Sequence, residues 1–470
     1  MGLTDQVASQ ELNVTKFFNN RPIAPAQWMI LCVCFLVMIL DGFHTGAMAF
    51  VAPALIADLA IPHLALGTIL SAALVGLTVG TFAAGPLADR FGRRRILIYS
   101  VLICSIGSLL TTRITGASTL IACRFLTGLG IGAAMPNCTT LASEFIPARR
   151  RELLLNMMFC GFPLGASTSG FFTAWIVPHY GWRGVFLTGG VLPIFLAAFL
   201  FRMPESISFM VVRKYPVEKI RAALSMIAGA DKQANALIDS ASRFVTSEAA
   251  IPRAKSPLQV ILSRRYLLGT VMLWLAYFMG LVLYYLLTSW MPTLIRDAGY
   301  SVSRAATASA LFPLGGGLGA VLCGWLMGRT NATRVVSGAY LLTAILLVVL
   351  ARSTGNITSL MFMTLLSGIA MNGAQSSMPV LAATFYPTFG RASGVAWMLA
   401  MGRIGGIIGA FGGGVLLNAG YSLRQIISSL SVAALISALA MFCKDFGNGP
   451  SGSQFLPEIH PETSVKHVSE

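Results

Sequence analysis

The chain has 470 residues, of which 56% are hydrophobic and 11% are charged, and its mean hydropathy is +0.75. This composition excludes an ordinary soluble domain and is typical of a protein that lies largely within a membrane. The formal net charge of +16 does not indicate nucleic-acid binding, because the basic residues cluster in short segments between apolar runs rather than on one soluble face.

Roughly twelve apolar runs are long enough to cross a bilayer as helices, which takes about 20 residues each. These predicted helices, numbered one to twelve, cover residues 27–50, 66–87, 95–112, 117–142, 153–176, 183–203, 266–291, 303–326, 334–351, 358–380, 392–417 and 422–443. The runs are continuously apolar, whereas the strands of a membrane β-barrel are alternating segments of about ten residues. We therefore predict an all-α membrane protein.

The polar segments between the helices predict the orientation of the chain. Residues 1–26 form a polar N-terminal segment without the apolar core and cleavage site of a removable signal peptide. Loops on the same side carry most of the basic residues, in segments 93–95, 149–151 and 202–265, whereas the opposite loops carry few. By the positive-inside rule, both termini are expected in the cytoplasm.

The longest polar stretch, residues 204–265, divides the chain into two halves. We expect two six-helix bundles, residues 27–203 and 266–443, joined by this cytoplasmic loop and followed by a cytoplasmic tail, residues 444–470. The halves also match each other at an offset of about 240 residues, since "RFLTGLGIGAA" (124–134) aligns with "TLLSGIAMNGA" (364–374) and "FIPARRR" (145–151) with "FYPTFGR" (385–391). Such a duplication predicts a substrate site near mid-membrane between the halves.

Two loops on the terminal side carry clustered charge. "GPLADRFGRRR" (85–95) joins helices two and three, and "EFIPARRR" (144–151) joins helices four and five. One interpretation is a simple positive-inside role, with glycines for the turn and arginines for anionic headgroups. The spacing, however, resembles the cytoplasmic motifs of the major facilitator superfamily. That resemblance implies a cytoplasmic gate, whose members here would be Asp89, Arg90, Arg93, Glu144, Arg151 and Arg391.

The second copy of the first loop, "GWLMGRTNATR" (324–334), has Gly328 where the acid would stand, so we expect an asymmetric gate held mainly by the first half. The resemblance narrows further through "DGFHTGAMAFVAPAL" in helix one, "LLTSWMPTL" in helix seven and "FYPTFGRASGVAWMLAMGRIGGIIG" into helix eleven. These runs look like the aromatic acid:proton symporters of the superfamily, a similarity that covers essentially all twelve helices. It implies import of a benzoate-like anion with protons across a bacterial inner membrane.

Charged residues deep in the helices are functional candidates, because an ionisable side chain at mid-bilayer costs at least about 2.5–3.5 kcal/mol. Asp41 is the one acid well inside a predicted span, and the deep bases are His44, Arg124 and Arg403. The resembled family often has a second acid where this chain has His44. Asp41 and Arg124 lie at the same depth within about one turn, so an ion pair between them is expected.

Aromatic and amide side chains supply the rest of a predicted site for a ring-bearing ligand. We expect Tyr277 and Tyr285 of helix seven to face the cavity, and Trp290 to be an interfacial anchor. In helix ten, Asn372 and Gln375 either bond ring hydroxyls or bond only neighbouring backbone, and Gln375 is the better candidate. The glycines of "GRIGGIIG" are expected to serve close helix packing.

The sequence thus predicts a secondary importer that is not an enzyme. Asp41 and His44 are its predicted proton-coupling residues, and its predicted substrate-binding residues are Arg124, Arg403, Tyr277, Tyr285, Gln375 and Asn372. No cofactor, metal or nucleic acid is expected, the eight cysteines are expected to be small apolar fillers, and a monomer is expected. Two alternatives remain: a proton-antiport exporter of drugs or metabolites, and a membrane sensor that binds aromatic acids without transporting them.

Overall fold

A computed structural model describes residues 11–444 except 230, 242, 246–258, 260, 354 and 387. Parts of the predicted N-terminal segment and central loop, and the predicted tail from residue 445 onward, lie outside the described residues. The elements, in chain order, are β1 (Glu11–Asn13), α1 (Val14–Asn19), α2 (Pro25–Leu59), α3 (His63–Phe91), α4 (Arg93–Thr111), α5 (Ala117–Phe145), α6 (Ala148–Phe159), α7 (Gly161–Arg202), α8 (Ile207–Val212), α9 (Val217–Ala228), α10 (Lys232–Ser240), β2 (Arg243–Val245), α11 (Leu267–Asp297), α12 (Val302–Met327), α13 (Ala332–Arg352), α14 (Ile357–Phe385), α15 (Thr388–Asn418) and α16 (Leu423–Cys443).

The predicted all-helical membrane fold is confirmed. Among the described residues, eleven helical stretches are long and apolar enough to cross a membrane, and one of them, Ala148–Arg202, has 55 residues. That length is more than twice what one crossing needs. Gly181, with φ of 70°, interrupts α7 and separates the predicted helices five and six. A single glycine makes the turn between the two predicted helices. They are therefore joined in one helical run.

Local sequence signals set the ends of several spanning helices. Ser301, Asn331 and Asn356 precede α12, α13 and α14, and each accepts a hydrogen bond from a backbone N–H in the first turn. Ser422 and Gln425 form a reciprocal capping box at the start of α16. These side chains satisfy donors that would otherwise be unpaired at the membrane surface.

Glycines allow the helices of each bundle to pack with their backbones in contact. A Cβ added at Gly128 of α5 would collide with the backbone of Ala73 in α3, and one added at Gly368 of α14 would collide with that of Phe312 in α12. The two glycines are 240 residues apart, which is the offset of the internal repeat. The duplicated sequence therefore builds the same helix contact twice.

The polar segments on the terminal side are more structured than the sequence predicted. Within the described part of the central loop, α8, α9 and α10 pack together, and β2 pairs in parallel with β1 of the N-terminal segment. The prediction of a purely helical chain did not include this strand pair, since three-residue strands are too short to show a periodic pattern. Arg21 also forms an ion pair with Asp231, so the N-terminal segment is tied to the central loop.

The two halves are closed against each other at the end remote from the chain termini, here called the far end. A Cβ added at Gly414 of α15 would lie 2.6 Å from the carbonyl oxygen of His63 in α3. Trp290 of α11 packs on the same glycine and donates a hydrogen bond to the carbonyl of Ala410 at 2.7 Å. Trp290 is 0% exposed, so the prediction of an interfacial anchor is wrong. The position of Trp290 near the end of a predicted helix could not show that its side chain faces the other half of the protein.

The other end, which bears the termini, exposes a charged residue of each half. Asp89 of the first half has a side chain that is 75% exposed, and Arg391 of the second half is also exposed. Midway along the bundles, Ser167 of α7 donates a hydrogen bond to the carbonyl of Ala310 in α12 at 3.0 Å. The described conformation is thus closed at the far end.

The far-end contact predicts unequal effects of two alanine substitutions on one helix. Gly414→Ala should weaken closure, because the new methyl group meets His63 and Trp290, whereas Gly412 has open space around it. A cost of about 1 kcal/mol would shift the ratio of closed to open far ends about fivefold. Paired spin labels at the exposed residues Ser118 and Tyr421 should report longer distances for Gly414→Ala only. Equal distance distributions for Gly414→Ala and Gly412→Ala would contradict this account.

Candidate functional site

The space between the halves has one end blocked by the far-end contact. It is lined by α2, α3 and α5 from the first half and by α11 from the second. The lining is mostly apolar, and His44, Arg124, Tyr285 and Ser289 supply polar atoms. A largely apolar lining with a few convergent polar groups is typical of a small-molecule site.

Arg124 of α5 is the buried cation of this cavity, and its side chain is 1% exposed. Its Nη2 donates to the hydroxyl of Thr111 at 3.0 Å and to that of Thr127 at 3.3 Å. Its guanidinium carbon lies 4.8 Å from the ring centre of Phe186, and its buried Nε has no hydrogen-bond partner. Hydroxyls and a ring face hold the guanidinium in place but do not neutralise its charge.

The expected ion pair between Asp41 and Arg124 is not formed in this structure. No carboxylate among the residues that the structure describes lies within 4.0 Å of Arg124. Asp41 instead lines a second space, beside Ser100 and Cys104 of α4. The chain positions predict a similar depth for both residues, but depth does not set the direction in which a side chain leaves its helix.

Asp41 is 5% exposed, and its carboxylate makes no hydrogen bond to any residue in the described parts of the chain. The guanidinium of Arg403, in α15 of the second half, lies within electrostatic reach of Asp41, Tyr277 and Tyr285. Neither arginine forms an ion pair with Asp41 within 4.0 Å among the residues that the structure describes.

His44 lies between the two spaces and lines both of them. Its Nε2 is 2.8 Å from the carbonyl oxygen of Gly189 in α7, and its Nδ1 is 2.7 Å from that of Leu40 in its own helix. Pro193 has no N–H, so the Gly189 carbonyl cannot receive the usual helical hydrogen bond, and the ring Nε2 of His44 lies where a donor is missing. Both ring nitrogens meet acceptors, whereas a neutral imidazole has one N–H to donate.

The predicted aromatic residues of the second half are buried together. Tyr277 and Tyr285 are 9% and 8% exposed, and their rings pack against Gly402 and Gly406 of α15. A Cβ at Gly406 would lie 2.7 Å from the Tyr285 ring, so the glycines of "GRIGGIIG" make room for these tyrosines. Arg403 extends from the same helix segment and is half-buried.

The two predicted amide residues of α14 differ in their surroundings. Asn372 donates to the carbonyl of Gly368 in its own helix at 3.0 Å and lies against Gly316 of α12, so its contacts are local. Gln375 accepts a hydrogen bond of 2.6 Å from the hydroxyl of Tyr340. Sequence reasoning missed Tyr340, although a tyrosine in the middle of predicted helix nine was a visible signal.

The predicted gate residues are brought together only in part. Arg93 forms an ion pair with Glu144 at 3.1 Å, and Ser206 joins them by accepting from Arg93 at 2.9 Å and donating to Glu144 at 2.5 Å. Glu205 accepts from the backbone N–H of Arg94 at 2.9 Å. Sequence reasoning missed Glu205 and Ser206, which stand next to each other at the start of the predicted central loop.

The remaining predicted gate residues lie outside this cluster. Asp89 comes only within 4.0 Å of Arg93, and Arg151 donates to the carbonyl of Ile146 at 3.4 Å. Arg90 lies over the ring of Phe91, and Arg391 is exposed. In this conformation the cluster therefore contains no residue of the second half.

Comparison with known proteins agrees with this architecture. The model of the Major Facilitator Superfamily matches residues 33–351 and 273–468. The chain belongs to the Major Facilitator Superfamily.

Curated relatives match almost the whole chain. The 4-hydroxybenzoate transporter PcaK of Pseudomonas aeruginosa is 46% identical over 93% of this chain and 96% of its own length. A gallate transporter of Pseudomonas putida is 41% identical over 95% of this chain and 97% of its own length. Among solved structures, the xylose transporter XylE of E. coli in a partially occluded inward-open conformation has a TM-score of 0.68 and 17% identity, covering 88% of this chain and 97% of that one.

In this Major Facilitator Superfamily member, the bond between His44 and Gly189 can be tested by a double-mutant cycle. His44→Leu should lower stability by about 1 kcal/mol, because it leaves the Gly189 carbonyl without a donor. In a Pro193→Ala background the same change should cost much less, since position 193 then provides a backbone N–H. Thermal unfolding of the purified protein measures both values.

His179→Leu is the matched control for this cycle, because His179 is exposed and bonds only the carbonyl of Trp175 in its own helix. It should change stability little in either background. Equal losses for His44→Leu with and without Pro193 would show that His44 does not replace the missing helical hydrogen bond.

Proposed function

We propose that this chain imports a hydroxybenzoate-like aromatic carboxylate together with protons, by alternating access across the bacterial inner membrane. The observation that carries the proposal is Arg124, a fully buried guanidinium that lines the cavity, has a free Nε–H and lacks a carboxylate partner among the described residues. A buried charge without a counterion is costly, and an anionic substrate would supply the missing partner.

The chemistry of the cavity and the relatives together support an aromatic ring on that anion. Tyr285 lines the same space as Arg124, and Tyr277 lies within electrostatic reach of Arg403 nearby. Relatives more than 40% identical over nearly the whole chain carry the names of 4-hydroxybenzoate and gallate transporters. Aromatic faces, one or two guanidinium groups and a mostly apolar wall match a benzoate ring with its carboxylate.

We assign proton coupling to Asp41, with His44 as a second proton carrier. One carboxylate moving with one proton is electroneutral, and use of the membrane potential, about 2.3 kcal/mol per charge per 100 mV, requires a second proton. Burial of Asp41 without a hydrogen-bond partner, and its electrostatic reach to Arg403, allow its proton occupancy to depend on how close the halves are.

The orientation follows from the basic loops. With the termini in the cytoplasm, the far-end closure is on the outside and the described conformation faces inward. We propose that the cluster of Arg93, Glu144 and Ser206 closes the cytoplasmic side in the opposite conformation, when Asp89 and Arg391 come together across the halves. A monomer is sufficient for this cycle, because both bundles belong to one chain.

Replacing the buried guanidinium tests the substrate class. Arg124→Lys should weaken binding of 4-hydroxybenzoate about tenfold or more, because lysine presents a point charge without the planar fork that a carboxylate matches. Arg113→Lys, at an exposed loop position, is the matched control and should change binding little. Ligand-dependent thermal stabilisation of the purified protein gives both affinities.

Full affinity in Arg124→Lys combined with lost affinity in Arg403→Lys would place the carboxylate on the second half instead. If neither substitution changed the binding of any aromatic acid, the proposed substrate class would be wrong. Counterflow from vesicles preloaded with 4-hydroxybenzoate separates transport from simple sensing.

Replacing the deep acid tests the coupling separately from binding. Asp41→Asn should abolish uptake driven by an imposed pH gradient but preserve counterflow exchange, because exchange needs no net proton movement. Asp58→Asn is the control, since Asp58 lies at the far end of the same helix and is bound by Trp182 and Arg183. Full pH-driven uptake in Asp41→Asn would remove Asp41 from the coupling mechanism.

A further inference from the structure

Gln375 is the one predicted substrate-binding residue whose amide is fixed by another side chain in the described structure. Its side chain is 8% exposed within α14. The hydroxyl of Tyr340 donates to its Oε1 at 2.6 Å, and its Nε2 donates to the backbone carbonyl of Tyr277 at 3.5 Å. The first contact is short and the second is long, so Tyr340 makes the stronger of the two bonds.

These two contacts determine the directions in which the amide oxygen and the amide nitrogen of Gln375 point. With the oxygen toward the Tyr340 hydroxyl, the nitrogen faces the Tyr277 carbonyl, and donors meet acceptors on both sides. In the flipped orientation the amide oxygen would face a carbonyl oxygen, which provides no hydrogen to share. The orientation of the Gln375 amide therefore follows from the surrounding groups.

Tyr340 reaches this position from a helix on the outside of the second bundle. On α13, neighbouring side chains such as Leu341, Leu342 and Ile345 are about half exposed on the lipid-facing side, whereas Tyr340 is 0% exposed. Gly280 of α11 makes room for the contact, because a Cβ there would lie 2.9 Å from the Tyr340 hydroxyl oxygen. Three helices thus converge on one amide group.

We infer that Tyr340 is a positioning residue that orients the Gln375 amide so that its N–H meets a ring oxygen of the aromatic acid. The inference rests on the proposed function and adds a source of selectivity to it. An oriented N–H donor distinguishes a hydroxylated ring, which offers an oxygen acceptor, from an unsubstituted ring, which leaves the donor unpaired in a buried site. The preference for a hydroxylated ring is thus set by Tyr340, which acts through the Gln375 amide.

The experiment compares the affinities of 4-hydroxybenzoate and benzoate on the same purified protein. Tyr340→Phe removes one oxygen and keeps the ring that fills the space. It should reduce the preference for 4-hydroxybenzoate over benzoate about five- to tenfold, the size of one hydrogen bond, with the benzoate affinity nearly unchanged. Because both ligands meet the same preparation, a loss of folded protein lowers both signals alike and leaves the ratio intact.

Thr343→Val is the matched control, since Thr343 is a buried hydroxyl on the same helix that bonds only the carbonyl of Ala339 at 2.8 Å. It should leave the ratio unchanged. Gln375→Leu should reduce the ratio as Tyr340→Phe does, and the double variant should show no further reduction, because both changes remove the same oriented donor.

An unchanged ratio in Tyr340→Phe, or equal losses for both ligands, would overturn the role of Tyr340 while leaving aromatic-acid binding in place. Additive reductions in the double variant would also overturn it, since two independent contacts would then be present. If the unaltered protein binds neither ligand, the proposed function fails and the inference fails with it.

Discussion

The constraint on which the site depends is the cost of an uncompensated charge inside a membrane protein. Arg124 is fully buried, and its guanidinium is held by two threonine hydroxyls and a phenylalanine ring rather than by an acid. Hydrogen bonds satisfy donors, but only an anion cancels the charge in a medium of low dielectric constant. The cavity therefore has an electrostatic requirement that apolar packing around it cannot meet, and an anionic ligand meets it.

The Arg124 guanidinium can select an anionic ligand in the proposed transport cycle only if the walls of the cavity keep their shape. The glycine contacts give each bundle this rigidity, because helices whose backbones touch cannot slide without collision. The contact of Gly128 with Ala73 and its counterpart 240 residues later, Gly368 with Phe312, tie corresponding helix pairs together in the two halves. In the proposed transport cycle, motion is concentrated between the bundles, where the far-end contact joins Gly414 to His63.

The sequence indicated where along the membrane normal each spanning helix begins and ends. It did not indicate the direction in which each side chain points from its helix axis. Hydropathy placed the spanning helices, but the direction of each side chain depends on packing partners from distant parts of the chain. The same limit explains why Trp290 was predicted at the lipid interface, although it is buried between the halves. Ser206 and Tyr340 were missed because each acts through a residue far away in sequence, Glu144 and Gln375 respectively.

The placement of His44 connects these points. In this conformation Asp41 and Arg124 line different spaces, and His44 lines both, with its ring held between carbonyls of α2 and α7. The acceptor on α7 exists because Pro193 leaves the Gly189 carbonyl free, so a proline in one helix creates the binding partner for a histidine in another. A carboxylate at position 44 would repel that carbonyl oxygen, whereas an imidazole donates to it. The histidine is therefore matched to its surroundings on α7, and its ring separates the space of the acid from that of the guanidinium.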